Sequence, residues 1–231
     1  MIARTLDVAT SFLASVARAG SGMRATPPVH RPAQPLELYD FEACPYCRKV
    51  REALSELDLE AVVYPCPKGG AVFRPRAVEL GGKAQFPYLV DPNTGTRLYE
   101  SDAIVDYLFE SYGNRAPSPL VRGPLAFPTS LLASAARLGA GNRARSSRRP
   151  QQPLELYSFE ASPFCRLVRE TLCELELPYL LHNVGKGSPN RDAFVARSGK
   201  MMVPYLVDPN TGRALFESAD IKRYLLETYG A

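Results

Sequence analysis

Two cysteines one helical turn apart, in Cys44-Pro45-Tyr46-Cys47, are the residues of this chain best suited to do chemistry. A thiolate exchanges with disulfides by nucleophilic attack, and a second thiol close by can resolve the mixed disulfide that forms. A near copy of the stretch occurs later as Ser162-Pro163-Phe164-Cys165, with a hydroxyl where the leading thiol stood. An alcohol cannot exchange with a disulfide, so the two stretches differ in their chemistry. In both, proline follows the leading residue and suits the first turn of a helix. The leading side chain then lies beside free backbone N–H groups at the positive end of the helix dipole, which favours thiolate over thiol. Arg48 and Lys49 add positive charge within that turn. The expectation is a Cys44 with a depressed pKa and a less exposed Cys47 that resolves it. The bland alternatives are two ordinary cysteines or half of a zinc site. His30 and His182 are the only histidines, neither has ligand spacing, and no metal ligand is expected.

The other three cysteines read as structural. Cys66 falls in a loop, with extra resolving thiol as the alternative. Cys165 is a semi-buried thiol, and Cys173 lies on a helix as a packing residue. Five cysteines make no even secreted framework and fit a reducing compartment. A net charge of +4 with mixed signs and no aromatic-interleaved basic stretch excludes nucleic acid as an expected partner. No segment reaches the roughly 20 apolar residues of a membrane span.

The elements that must position these residues are written twice. Pro35-Leu-Glu-Leu-Tyr39 recurs at 153–157, and Pro87-Tyr-Leu-Val-Asp-Pro-Asn-Thr-Gly95 recurs unchanged at 204–212, offsets of 118 and 117 residues. A period that long is domain duplication, since solenoid repeats run roughly 20–50 residues. In the first copy, Leu36–Phe41 reads as a strand and Pro45 opens a helix with Val50, Leu54 and Leu57 at helical spacing. Ala61–Tyr64 reads as a second strand and Phe73–Leu80 as a second helix ended by Gly81-Gly82. A hairpin follows around Asp91–Gly95, then a helix from Ser101 to Tyr112. The order is β-α-β-α-β-β-α, repeated from Leu154 to Tyr229. The expected organisation is an N-terminal helix and linker over 1–34, a first domain over 35–114, a linker with a short helix near Thr129–Leu138 over 115–152, and a second domain over 153–231. Arg143, Arg145, Arg148 and Arg149 read as a solvated stretch of that linker, or else a docking site. Ser11-Phe-Leu-Ala-Ser-Val-Ala-Arg-Ala-Gly20 is echoed by Ser130-Leu-Leu-Ala-Ser-Ala-Ala-Arg-Leu-Gly139. That echo favours a structural helix over a transit peptide at Met1–Gly20.

Cys-Pro-Tyr-Cys after a strand, with Phe86-Pro87 later, resembles the glutaredoxins. Phe86-Pro-Tyr-Leu-Val-Asp91 followed by Glu100-Ser-Asp-Ala-Ile104 resembles the N-terminal thioredoxin-fold domain of glutathione transferases. The resemblance covers Pro35 to Tyr229 and implies two tandem thioredoxin-like α/β domains, each with a mixed four-stranded sheet. It implies that Pro87 and Pro204 are cis, turning the backbone of Phe86 and Val203 toward the cysteinyl part of glutathione. It implies that Glu100-Ser101 and Glu217-Ser218 hold the γ-glutamyl end, with helix capping as the alternative use of the same residues. Tyr46 joins the glutathione-binding set, and Lys83 and Gln85 are candidates for the glycyl carboxylate, where the second copy has Lys200 and Met202. Glutaredoxins commonly carry a basic residue just before the motif, and Glu42-Ala43 depart from that.

The function so implied is a glutathione-dependent thiol–disulfide oxidoreductase that acts on glutathionylated or disulfide-containing proteins through Cys44. The second domain is then a glutathione-binding or structural module, in which Ser162 resembles the serine of transferases that hydrogen-bonds the glutathione thiolate. The competing readings are a transferase and a binding module holding glutathione or a bridged iron–sulfur cluster. The expected location is cytoplasmic, or a plastid or other organelle if the N-terminus is a transit peptide.

Overall fold

The computed structural model describes residues 2–231. Helix α1 (Ile2–Ala17) comes first. The first repeat then runs β1 (Leu36–Asp40), α2 (Pro45–Glu56), β2 (Ala61–Pro65), α3 (Phe73–Gly81), β3 (Tyr88–Asp91), β4 (Thr96–Tyr99) and α4 (Ser101–Leu108). Helix α5 (Ala126–Ala135) separates the repeats. The second runs β5 (Leu154–Ser158), α6 (Pro163–Glu174), β6 (Tyr179–Asn183), α7 (Asn190–Ser198), β7 (Tyr205–Asp208), β8 (Arg213–Phe216) and α8 (Ser218–Tyr229). This is the expected order twice over. Helix α5 starts and ends three residues before the stretch that periodicity picks out. Helix α4 stops at Leu108 and continues as a π turn over Phe109–Gly113, whereas α8 is unbroken.

Within each repeat the first two strands are parallel and the hairpin strands antiparallel, as in a thioredoxin-like sheet. The two sheets are not separate. Strand β2 pairs antiparallel with β6, Val62 facing Leu180, and the eight strands run β4-β3-β1-β2-β6-β5-β7-β8. Both strands would otherwise be apolar edges with unpaired backbone groups, and pairing removes both edges at once. Each repeat keeps its own core. Val50, Leu54 and Leu57 pack with Ile104, Val105 and Leu108, and Val168, Leu172 and Leu175 pack with Ile221 and Leu225.

The repeated Asp-Pro-Asn-Thr-Gly turn also anchors the closing helix. Asp91 is buried and accepts bonds from Tyr107 (2.7 Å) and Tyr112, while Asp208 accepts from Tyr224 and Tyr229, each at 2.6 Å. Burial alone would raise these carboxyls. The tyrosine and asparagine hydrogen bonds outweigh it and hold both below the usual range.

Helices α1 and α5 are built into the fold at related places. Ser11 Oγ donates to the carbonyl of Pro163 and Ser130 Oγ to that of Pro45, both at 2.7 Å. Thus α1 lies on the first turn of α6, and α5 on the first turn of α2. Arg18 pairs with Glu52, and Arg137 pairs with Glu170 at 2.7 Å. The arginine-rich linker keeps Arg143, Arg145, Arg148 and Arg149 exposed to solvent as expected, while its backbone is tied to the second repeat: the N–H groups of Arg145 and Arg148 donate to the carbonyls of Glu174 and Tyr229, both at 2.7 Å. None of the helices is long and apolar enough to cross a membrane, among the described residues.

Candidate functional site

Cys44 occupies the cap position before α2, with extended backbone (φ −74°, ψ 122°) and the following proline in the first turn. Its Sγ accepts the N–H of Cys47 at 3.3 Å. The hydrogen bond from the Cys47 side chain, with the N–H groups of Cys47 and Tyr46 and the nearby Arg51, outweighs burial and lowers its pKa. Cys47 lies beneath it, and burial first, then the neighbouring Cys44, push its pKa well up. The pair is therefore polarised, with an upper thiol that ionises readily and a lower one that keeps its proton.

The positive charge expected from Arg48 and Lys49 goes elsewhere. Arg48 is buried with its Nη1 3.5 Å from Glu160 Oε1 of the second repeat, and Lys49 pairs with Asp102. The side of α2 that carries Arg48 and Arg51 is the joint between the repeats. Glu42, which departs from the glutaredoxin pattern, is explained by the same joint. It is buried, 3.3 Å from Arg51 Nη2 and 3.1 Å from Arg169 Nε of the second repeat. Glu160 matches it from the other side, at 3.1 Å from Arg51 and 2.9 Å from Arg169. Asp40 completes the group through Arg51, and burial leads the effects that push its carboxyl up to about 6. The pairs that cross between the repeats join residues more than a hundred positions apart, and no local pattern in the sequence signals them.

Phe86-Pro87 and Val203-Pro204 are both cis. Glu100 and Glu217 stand just before α4 and α8 with φ of 67° and 64°, so Ser101 and Ser218 open those helices and neither glutamate makes a side-chain cap. In the second repeat, Val203, Pro204, Glu217 and Ser218 line one cleft with Phe164 and Met202. Ser162 begins the same helix as Phe164, and its Oγ accepts the Cys165 N–H at 3.3 Å, as Cys44 does in the first repeat. In the first repeat Gln85 donates to the Glu100 carboxylate, so its amide is engaged at that rim, and Lys83 lies over the Tyr99 ring. Met202 has no such donor, which leaves the second cleft open.

Tyr46 is 46% exposed and stacks on Phe127 of α5, centroids 4.7 Å apart; Phe164 meets Phe12 of α1 edge-on. Both helices were expected from the sequence, but not that they would border the candidate sites. Their repeated serines were the available signal. Cys66 is fully buried, its Sγ 3.4 Å from the Tyr64 carbonyl, and burial pushes its pKa up. Cys173 receives the N–H of Glu42 at 3.4 Å, so it packs in the joint. Among the described residues no group of His, Cys, Asp and Glu could hold a metal ion.

The family model of the glutathione S-transferase N-terminal domain matches residues 38–116 and again 156–231. The chain belongs to that family and carries the domain in tandem. Solved structures that resemble it include a glutathione transferase of Bombyx mori, 32% identical over 37% of this chain and 39% of that one, with a TM-score of 0.32. Another is Leishmania TDR1, described as a unique trimeric glutathione transferase, 14% identical over 85% of this chain and 69% of that one, with a TM-score of 0.30. The chain thus spans well under half the length of the first. Comparison with curated protein sequences gives no match.

Proposed function

We propose that the protein is a glutathione-dependent thiol–disulfide oxidoreductase that works through Cys44. The observation that carries this reading is the polarised pair at the start of α2, in which Cys44 Sγ accepts the Cys47 N–H and Cys44 is lowered while Cys47 is raised. The Cys44 thiolate attacks the glutathionyl sulfur of a protein mixed disulfide, and the protein thiolate leaves. Cys44 then carries the glutathione. A second glutathione thiolate, or Cys47 after losing its proton, attacks that bond and frees Cys44 or forms the Cys44–Cys47 disulfide. By either route the net reaction consumes one free glutathione, whose sulfur ends joined to the substrate's glutathionyl group as glutathione disulfide, and the protein thiol is released. In this reading Tyr46, Phe86, Pro87, Glu100 and Ser101 hold the glutathione moiety.

The second repeat binds glutathione without exchanging it. Val203, Pro204, Glu217 and Ser218 share one cleft there, and Ser162 offers a hydroxyl where the first repeat has a thiol. The test is reduction of a glutathione mixed disulfide with glutathione as reductant. Cys44→Ser is expected to lose the activity and Cys47→Ser to keep part of it. Equal, negligible activity in the unaltered protein and Cys44→Ser contradicts the proposal. Binding of S-methylglutathione to Cys44→Ser, weakened further by Glu217→Gln, tests the second cleft by calorimetry.

A further inference from the structure

The two repeats differ along one helix face. In the first, the chain leaving Asn114 turns back over α4 before it begins α5. Val121 is fully buried there among Ile104, Val105, Leu108 and Phe109. Its neighbour Arg122 pairs with Asp106 (Nε–Oδ1 2.9 Å) and lies 3.5 Å from Asp102. The outer face of α4 is thus covered by an aliphatic side chain followed directly by a charged one.

At the 117-residue offset, Asp102, Val105, Asp106 and Phe109 become Ala219, Lys222, Arg223 and Leu226 of α8. These four line an open groove of about 920 Å³, faced by Leu6 of α1, by Leu138 and by Leu167 of α6. Leu6 is 60% exposed and Leu138 is 90% exposed. Leu138 has a left-handed φ of 52°, as does Ala19 (47°) at the matching place after α1, so it sits in the turn that ends α5. Among the described residues no segment enters the groove. Those that correspond to Val121–Pro124 run on as the first turn of α1 instead of turning inward.

The charge is inverted as well. Where Asp106 receives Arg122, the groove presents Arg223, whose exposed guanidinium pairs, among the described residues, with the neighbouring Asp220 alone, at 2.6 Å. The other lining cations are engaged, Lys222 with Asp7 at 2.8 Å and Arg137 with Glu170 and Asp7. Of the lining carboxylates, Asp7 is thereby neutralised and Glu227 is the counterpart of Glu110.

We infer that the groove between α1 and α8 docks a peptide segment of a partner protein, one that presents a branched aliphatic residue followed by an acidic one. The aliphatic side chain covers Leu226 as Val121 covers Phe109. The carboxylate meets Arg223 as Arg122 meets Asp106.

The probe is a labelled octapeptide, Ser-Pro-Leu-Val-Glu-Gly-Pro-Leu, which copies Ser118–Leu125 with the charge at position 122 reversed. Its comparator keeps the arginine. Titration with the full chain, read by fluorescence polarisation, is expected to show saturable binding of the acidic peptide, about three- to fivefold tighter than the basic one, as an exposed ion pair allows. Arg223→Asp is expected to reverse that order, and Leu6→Glu, at an exposed position of the lining, to abolish both, each with an unchanged melting temperature; Leu226→Glu abolishes both but also lowers the melting temperature, because Leu226 packs against the second core. No saturable binding up to millimolar peptide overturns the proposal, as does equal affinity for the two peptides or an unchanged order in Arg223→Asp. Self-association of the chain in sedimentation, lost in Leu226→Glu, assigns the groove to a second copy and overturns it too.

Discussion

At the residue scale, the difference between the repeats that decides their chemistry is a sulfur or an oxygen at the cap of α2 and α6. Cys44 and Ser162 accept the same N–H at the same 3.3 Å, so the backbone cradle is common to both. What the cradle can stabilise differs, because only a thiol ionises near neutral pH. Cys44→Ser therefore turns the first site into a likeness of the second. The expected outcome is loss of mixed-disulfide reduction with no measurable loss of stability in urea titration. Sequence reading found the cap and the dithiol but credited Arg48 and Lys49 with the shift. Their charges are spent on Glu160 and Asp102. Spacing along a helix shows which residues share a face, and it does not show what that face meets.

At the element scale, α1 and α5 act as struts on the helices that carry the candidate sites. Ser130 is buried and its hydroxyl holds the Pro45 carbonyl at the first turn of α2. Ser130→Ala is expected to cost about 1 kcal/mol in urea unfolding, the typical worth of one buried hydrogen bond. Phe127→Ala removes the ring stacked on Tyr46, and the expected result is faster alkylation of Cys44, which is only 4% exposed in the intact fold. The strands, the hairpin turns and the two Glu-Ser helix starts were legible because each is a local pattern of turn residues and alternating apolar positions. The docking of α1 and α5 was visible only as an unexplained likeness between Ser11–Gly20 and Ser130–Gly139. Joining of the two sheets was not legible, since an apolar Ala61–Val63 says that the strand is buried and not by which neighbour.

At the scale of the whole molecule, the two repeats are one folding unit joined through charge. Glu42 and Glu160 each bind arginines of both repeats inside the protein. Removing one charge from such a group strands its partners, and Glu160→Gln is expected to cost about 3 kcal/mol. Burial opposes ionisation of Glu160, but Arg169 and Arg51 overcome it and lower its pKa from 4.5 to about 2. Its contribution is thus complete above pH 4.5 and lost as the pH falls toward 2, a dependence that Glu160→Gln removes. Asp40 has the opposite sign. Raised from 3.8 to about 6, it stabilises most when protonated, below 3.8, and that contribution fades as the pH rises through 6. Urea titrations of Glu160→Gln and Asp40→Asn across pH 2–8 separate the two windows.

The central claim is that Cys44 is a poised thiolate at the head of α2. The direct measurement is the pH dependence of its alkylation rate, with Cys44→Ser as the blank; burial raises the pKa of the other four cysteines, Cys47, Cys66, Cys165 and Cys173. The predicted result is a single titration midpoint below the roughly 8.5 of a free thiol, absent in the blank. A midpoint at or above that value contradicts it.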